Sequence, residues 1–471
     1  MNIMAIILSF LVGFYTYPAS FFAKAIDTQF DVNSAEFVED CIYINNEYVS
    51  CDYSDCSVSE SGVISFNDKF SADINMSLDS WFNYIGIEYT SDAYLRGEIE
   101  YKAGVKTKTE EFFLEPSEES AVFYMMINNF LNNTKANAIL SLSFEPLDKS
   151  DAEMTIRGIN VFNRKIPSTE IYIETDGIKI GVDLLWGGAL SYLEDTDSDV
   201  QLVNVDGTIH VDSDASARYN SKSLNNHVNL INRNDTARLV QQSYYGTRNW
   251  DEYTPGEYNN QIWSYNPVQG GNKYNENSKI VDYTITDNMI YIKCQPLDWA
   301  KPADCISSSY MEAYYIIDNG MLNVNCRFVD FSGYTATVNT QELPAFYCVE
   351  PLNNFVYAAN GELIYEKDLI FWPDANYPTF TSDEKWAAFT GEFDDSFSIG
   401  LYVPEVGATR FLTGVYERGL TETSDPAEES PTSYMAVVKE FLFESFTEFE
   451  YEYYITTGTV EEIRNTFSTI K

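Results

Sequence analysis

The chain has 471 residues, enough for two or three domains, and a formal charge of -43 from 72 acids against 29 lysines and arginines. Its mean surface repels phosphate backbones and anionic membrane faces, which excludes a nucleic-acid partner and leaves no membrane association once an export signal is removed. The aromatic share of 15% suits pleated, half-buried surfaces first and sugar-stacking platforms second.

At the start of the chain, Ile3 to Tyr15 is apolar and uncharged, and Ala23-Lys24-Ala25 supplies a small-x-small cleavage pattern. Residues 1–25 therefore read as a signal peptide, since an apolar run of about 13 residues is short for a membrane span. The expected location is secreted and extracellular. Strands dominate from there on. Leu95, Gly97, Ile99 and Tyr101 alternate with Arg96, Glu98 and Glu100, the period of a half-buried strand. Arg164, Lys165 and Pro167 interrupt the pattern between Asn163 and Ser168. We place a boundary there, with an N-terminal β-sandwich over 26–165 and one large β-domain over 166–471.

The second domain opens on a hairpin signal. Ile171 and Ile173 alternate with Glu170, Tyr172 and Glu174. Asp176-Gly177 then turns the chain, and Ile178, Ile180, Val182 and Leu184 resume the alternation. Thr421 to Thr432 is acidic, contains Pro426 and Pro431, and reads as a surface loop. At the end, Thr459 and Glu462 form a capping box ahead of Val460, Ile463, Phe467 and Ile470 at helical spacing, so a short C-terminal helix is expected. The fold class that follows is all-β with one helix.

Seven cysteines suit an oxidising compartment. Cys41, Cys51 and Cys56 predict one N-terminal bridge, and Cys294, Cys305, Cys326 and Cys348 predict two central ones. The odd thiol leaves room for a disulfide-linked partner. Sequons stand at Asn75, Asn132 and Asn234, so a glycoprotein is expected where the host glycosylates exported chains. With no C-x-x-C and only two histidines, a Cys/His metal site is not expected.

Several blocks resemble a group of secreted bacterial proteins that join a jelly-roll-like module to a galactose-mutarotase-like β-supersandwich. In the first domain these are Tyr94-Leu95-Arg96-Gly97-Glu98-Ile99 and Glu111-Phe112-Phe113-Leu114-Glu115. In the second they are Leu185-Trp186-Gly187-Gly188, Asp235 with Arg238 through Gly246, Asn266 through Gly271, Trp299, Glu312, and Gln341-Glu342-Leu343-Pro344-Ala345. The resemblance implies a sugar-binding concave face and therefore a poly- or oligosaccharide ligand. It implies no particular reaction, because one fold hosts many chemistries.

The residues narrow the chemistry further. Between Ala215 and Trp250 the only acid is Asp235, where the mean composition predicts about five, while Arg218, Lys222, Arg233, Arg238 and Arg248 are basic. That stretch, with Gln241, Gln242, Tyr244 and Tyr245, reads as a cleft for sugar hydroxyls or a uronate carboxylate, or alternatively as bases neutralising acids elsewhere. Glu342 leads into an apolar run, so burial would raise its pKa and suit it to acid/base work. Glu312, with Asp235 as the other choice, is the candidate second carboxylate that glycoside hydrolysis needs, or else pairs with an arginine such as Arg238. His227 and Tyr245 support a rival lyase chemistry, whereas His210 lies in an alternating strand and reads as structural.

Arg238, Gln241, Gln242, Tyr244, Asn266, Gln269, Trp299 and Gln341 are the expected substrate-binding residues. Trp186 and Trp263 are further candidate platforms, although tryptophan in a β-domain is more often packing. Asp195, Asp197 and Asp199 fail the EF-hand pattern at Val200 and Asp206, so no cofactor is required and only a weak calcium site in an irregular loop stays open. The reading is a secreted enzyme cleaving glycosidic linkages, with a polysaccharide lyase or a non-catalytic glycan-binding matrix protein as alternatives. Mutarotation is disfavoured by export and by the appended module.

Overall fold

The computed structural model describes residues 37–45, 50–52, 56–127, 135–164, 169–197, 229–233, 235–248, 253–258, 260–334, 337–349, 352–367, 369, 378–391, 397–404, 409–416 and 432–470. The signal peptide, the Thr421–Pro431 loop, His210, His227, Asn132, Asn234 and Asp199 lie outside them. The chain divides into two compact units, Met1–Pro167 and Ser168–Lys471.

The first unit is a β-sandwich. One sheet orders the strands Cys56–Val58, Ile64–Phe66, Ala152–Arg164, Tyr84–Ser91 and Ser117–Met126, with Phe37–Asn45 also on Ala152–Arg164. The other orders Ser50–Asp52, Phe70–Phe82, Ala136–Pro146, Leu95–Ala103 and Lys106–Leu114. The expected alternation holds: Leu95, Ile99 and Tyr101 are buried and the intervening charges are not. Rings close the gap between sheets, with Phe66 edge-on to Phe70 at 4.6 Å and Phe112 stacked on Phe123 at 5.5 Å.

The second unit sandwiches two larger antiparallel sheets. The first runs Glu170–Thr175, Ile178–Asp183, Ala189–Asp195, Val240–Ser243, Thr337–Val349, Thr432–Phe443, Thr409–Tyr416 and Thr379–Ser382, with two short strands attached beside Val240–Ser243. The second has nine strands, beginning Lys279–Ile285, Met289–Gln295, Ser309–Asp318, Met321–Asp330 and Glu448–Gly458. Tyr244 from the ten-stranded side packs on Phe328 at 4.6 Å and on Phe449 at 5.8 Å from the nine-stranded side, which locates the core between them.

Local signals were legible. Asp176 and Gly177 both take positive φ, 51° and 77°, and join Glu170–Thr175 to Ile178–Asp183 in register. Thr459 and Glu462 form the capping box of helix Val460–Phe467. Its buried Val460, Ile463 and Phe467 pack on Trp386 and Tyr402 of the nine-stranded sheet. Gly400 makes that docking feasible, since a Cβ there would meet Ile463 at 2.5 Å.

The expected central bridges are not formed: Cys294, Cys305, Cys326 and Cys348 are free thiols. Cys294 and Cys326 have the strand Ser309–Asp318 between them, so about 10 Å of sheet separates the two, beyond the roughly 7 Å a bridge spans. Cys348 belongs to the other sheet and Cys305 is exposed. The expected N-terminal bridge involves Cys41 and Cys51, whose side chains lie outside those described.

Candidate functional site

The site is built on the outer face of the ten-stranded sheet, and a bulge creates it. In the central strand Thr337–Val349, Glu342 pairs with Val438 and Ala345 with Ala436. Three steps on one strand thus match two on its neighbour, and the same mismatch recurs against Ser243 and Gln241. The inserted residue changes the parity of the strand. Glu342 therefore shares a face with Ala345 and Tyr347, and with Tyr434, Ala436, Val438 and Glu440 across from them. Phe346 and Met435 point the other way into the core.

On that face Tyr347 and Tyr434 lie ring to ring at 4.6 Å and pack on Ala345 and Ala436, whose small side chains leave room for them. Glu342 keeps part of its surface exposed. Burial of its carboxyl pushes the pKa from 4.5 up to about 7, against the opposing pull of the Tyr434 and Tyr245 hydroxyls. A carboxyl of this kind is about half protonated at neutral pH, the condition for giving or taking a proton there. Tyr347 feels the Glu342 charge, then Arg238 and Asp235, so these groups form one electrostatic neighbourhood.

Asp235 and Arg238 are bound to each other. The Asp235 carboxylate also accepts the amides of Ala237 at 3.0 Å and Arg238 at 3.1 Å, which closes a turn. Gln241 supports that turn from beneath, donating to the carbonyls of Thr236 at 2.9 Å and Ala237 at 3.0 Å. Tyr258 stands edge-on to Trp263 at 5.2 Å and to Trp299 at 5.9 Å, a half-buried aromatic trio. Trp186 is instead covered by the Arg233 guanidinium, which is ion-paired to Glu170 and Asp183.

Other expected site residues go elsewhere. Glu312 lies on the outer face of the nine-stranded sheet, because its cross-strand partner Arg327 alternates with the core residue Phe328. The core therefore separates Glu312 from Glu342, and the two share no cleft. Burial alone would raise the Glu312 pKa, but Lys293 at 3.3 Å and Arg327 at 2.8 Å, with the Tyr291 hydroxyl at 2.7 Å, hold it at about 2. It is a fixed anion in a cross-strand ion network with Lys293 and Arg327, whereas Arg238 is paired with Asp235.

Tyr244 is fully buried between the sheets, and its hydroxyl donates to Gln242. Gln242 in turn donates to the Glu312 carbonyl at 2.9 Å, tying one sheet to the other. Gln269 and Asn266 are buried struts. Gln269 donates to the Gly187 carbonyl, and Asn266 donates to the Tyr244 carbonyl at 2.7 Å. Gly187 itself takes φ 57°, and a Cβ on it would strike the Gln269 carbonyl oxygen. Gln341 is fully buried against the Tyr245 backbone. The physical reason is common to all of them: a polar side chain inside a sandwich must satisfy its hydrogen bonds there, and these satisfy them with protein.

The sequence did not single out Tyr347, Tyr434 or Tyr258; only their place in aromatic-rich strands marked them. Among the described residues no group of three or more His, Cys, Asp or Glu could hold a metal ion. Asp195 accepts the Thr457 hydroxyl at 2.9 Å and caps the Asp197 amide.

No family model matches the chain, and no curated protein is similar to it. Among solved structures, it is similar to a 4-alpha-glucanotransferase from Thermococcus litoralis, at 11% identity and TM-score 0.31 over 62% of this chain and 37% of that one. The chain thus spans little more than a third of that protein. A galactose mutarotase related enzyme from Lactobacillus acidophilus is 8% identical, at TM-score 0.36 over 62% of this chain and 97% of that one. A family 29 carbohydrate binding module is 10% identical, at TM-score 0.21 over 26% of this chain and 91% of that one.

Proposed function

We propose that the second unit acts on a carbohydrate, with Glu342 as the general acid/base in cleavage of a glycosidic linkage. One observation carries this reading: a part-exposed carboxyl, raised to about 7, set by a bulge on a face lined with Tyr347 and Tyr434. A bulge is a common means of re-aiming a side chain beside an active site. With Glu312 on the far side of the core, Asp235 is the second carboxylate on the Glu342 side, held by Arg238. Hydrolysis would use Glu342 to protonate the leaving oxygen and Asp235 opposite it.

A second reading, elimination on a uronate-containing glycan, is favoured by the Tyr245 hydroxyl against Glu342 and by Arg238 in the same neighbourhood. Glycan binding by the first unit would rest on the exposed Trp81 ring in the strand Phe70–Phe82, since the outward row Ser71–Ser143–Glu98–Glu111 of the same sheet is polar and acidic. Secretion rests on the apolar opening segment and Ala23-Lys24-Ala25. N-terminal sequencing of exported protein checks it.

The functional test is product analysis on neutral and uronate-containing polysaccharides, reading new reducing ends together with the ultraviolet absorbance of unsaturated uronates. Reducing ends alone, abolished by Glu342→Gln, support hydrolysis. Unsaturated products support elimination. No product from any polysaccharide, with glycan binding retained, supports a binding protein and overturns the catalytic assignment.

A further inference from the structure

We propose that Gln341 and Asn339 are positioning residues that act through Tyr245, clamping its backbone so that its phenol is held on the Glu342 carboxyl. This rests on Glu342 being the acid/base. The geometry begins where backbone pairing ends. The strand Val240–Ser243 pairs with the central strand as far as Ser243 opposite Glu342, and there the ladder stops. Beyond it the two chains are joined by side chains. The Gln341 carboxamide meets both polar groups of one residue, accepting from the Tyr245 amide at 2.6 Å and donating to the Tyr245 carbonyl at 2.8 Å. Asn339, two residues along the same edge, donates to the Tyr245 carbonyl at 3.2 Å and to the Gly246 carbonyl at 2.8 Å.

A carboxamide that both donates and accepts stands in for the peptide group a neighbouring strand would offer. It holds the partner chain one side-chain length further from the strand than a backbone ladder would. The far edge of the segment is fixed too, because the Gly246 amide donates to the Tyr265 carbonyl at 2.8 Å and the Tyr265 amide to the Thr247 carbonyl at 3.1 Å. With its backbone held from both sides, Tyr245 keeps only its two side-chain torsions; two residues beyond Ser243, which pairs with Glu342, it falls on the Glu342 face, where its hydroxyl pulls the carboxyl pKa down. Gln341 is fully buried and its neighbour in sequence is Glu342 itself, so one strand carries both the acid and the device that aims its partner.

A purely structural clamp and a positioning clamp differ in what they do to Glu342, and that difference needs no substrate to measure. The carboxyl is followed by carbon-13 NMR of the full chain labelled at glutamate, with Glu342→Gln identifying its resonance. The variants are Gln341→Leu, Asn339→Ala, Tyr245→Phe and the double variants. The expected result is that Gln341→Leu and Asn339→Ala each move the Glu342 titration in the same direction as Tyr245→Phe, and move it no further once Tyr245→Phe is present. Asn339 is part-exposed, so Asn339→Ala keeps the test alive if Gln341→Leu does not fold. Equal shifts with and without the Tyr245 hydroxyl, or no shift from Asn339→Ala in a folded protein, would overturn the proposal. Failure of the functional reading shows separately, as absence of product from the wild-type protein.

Discussion

Replacing Glu342 with glutamine should stabilise the protein at alkaline pH, and the size of the effect follows from its surroundings. In the folded chain the carboxyl titrates at about 7 rather than 4.5 because it is buried. Between those two pH values the folded protein holds a proton that the unfolded chain has released. Stability therefore falls as pH rises through this window, and the loss is complete above about pH 8. At 1.36 kcal/mol per pH unit the wild-type chain gives up on the order of 3 kcal/mol at this one residue. Glutamine is neutral throughout, so the variant has no such titration. Wild type and Glu342→Gln should be of similar stability at pH 4, and the variant more stable by up to about 3 kcal/mol at pH 9. Guanidinium unfolding at a series of pH values, followed by tryptophan fluorescence, measures the gap. Six of the seven tryptophans lie in the second unit, so the signal reports chiefly on it. Other acids titrate over the same range but cancel in the difference between the two proteins. Parallel stability curves from pH 4 to pH 9 would show an ordinary carboxyl at Glu342 and remove the basis for its acid/base role.

Tyr245→Phe and Tyr434→Phe each delete a hydroxyl that pulls the Glu342 pKa down. Each should raise the Glu342 titration by on the order of one pH unit, read as an alkaline displacement of the activity profile or directly by NMR. Glu312→Gln removes the buried anion that Lys293 and Arg327 share, leaving Arg327 its pair with Glu448, and should cost roughly 3 kcal/mol near neutral pH by denaturant unfolding. Because the Glu312 pKa is depressed, its contribution is present above about 4.5 and lost as pH falls towards 2, where variant and wild type should converge. Of the four cysteines in the second unit, only Cys305 should react with a thiol reagent in the folded protein, with Cys294, Cys326 and Cys348 following on unfolding. A Cys294–Cys326 bridge found by peptide mapping would contradict the strand spacing.

The site residues chosen from sequence were polar groups in unusual settings, and most proved to be struts. Gln242, Asn266 and Gln269 share the composition of a sugar-binding cleft, but a large sandwich also needs buried polar groups to tie its loops and sheets together. Glu312 looked like Glu342 because both sit among apolar and aromatic neighbours. Lys293 and Arg327, which separate their chemistry, lie on adjacent strands and reach Glu312 only through cross-strand pairing. The same holds for the cysteines, whose count suggested bridges that the intervening strand forbids.

What the sequence determined by itself was everything set by neighbours a few residues apart. It specified the alternating Leu95–Tyr101 strand, the Asp176-Gly177 hairpin, the capping box at Thr459 and Glu462, and so the all-β class. Only the tertiary structure decided which face each alternating residue would take. Period two says that adjacent side chains point to opposite sides of a sheet, but not which side is the core, and one inserted residue reverses the answer. The bulge between Glu342 and Ala345 turns Glu342 outward onto the tyrosine face, while Glu312 is buried on the far side of the nine-stranded sheet. The two carboxylates the sequence suggested as a pair are kept apart by the core that the alternation itself builds.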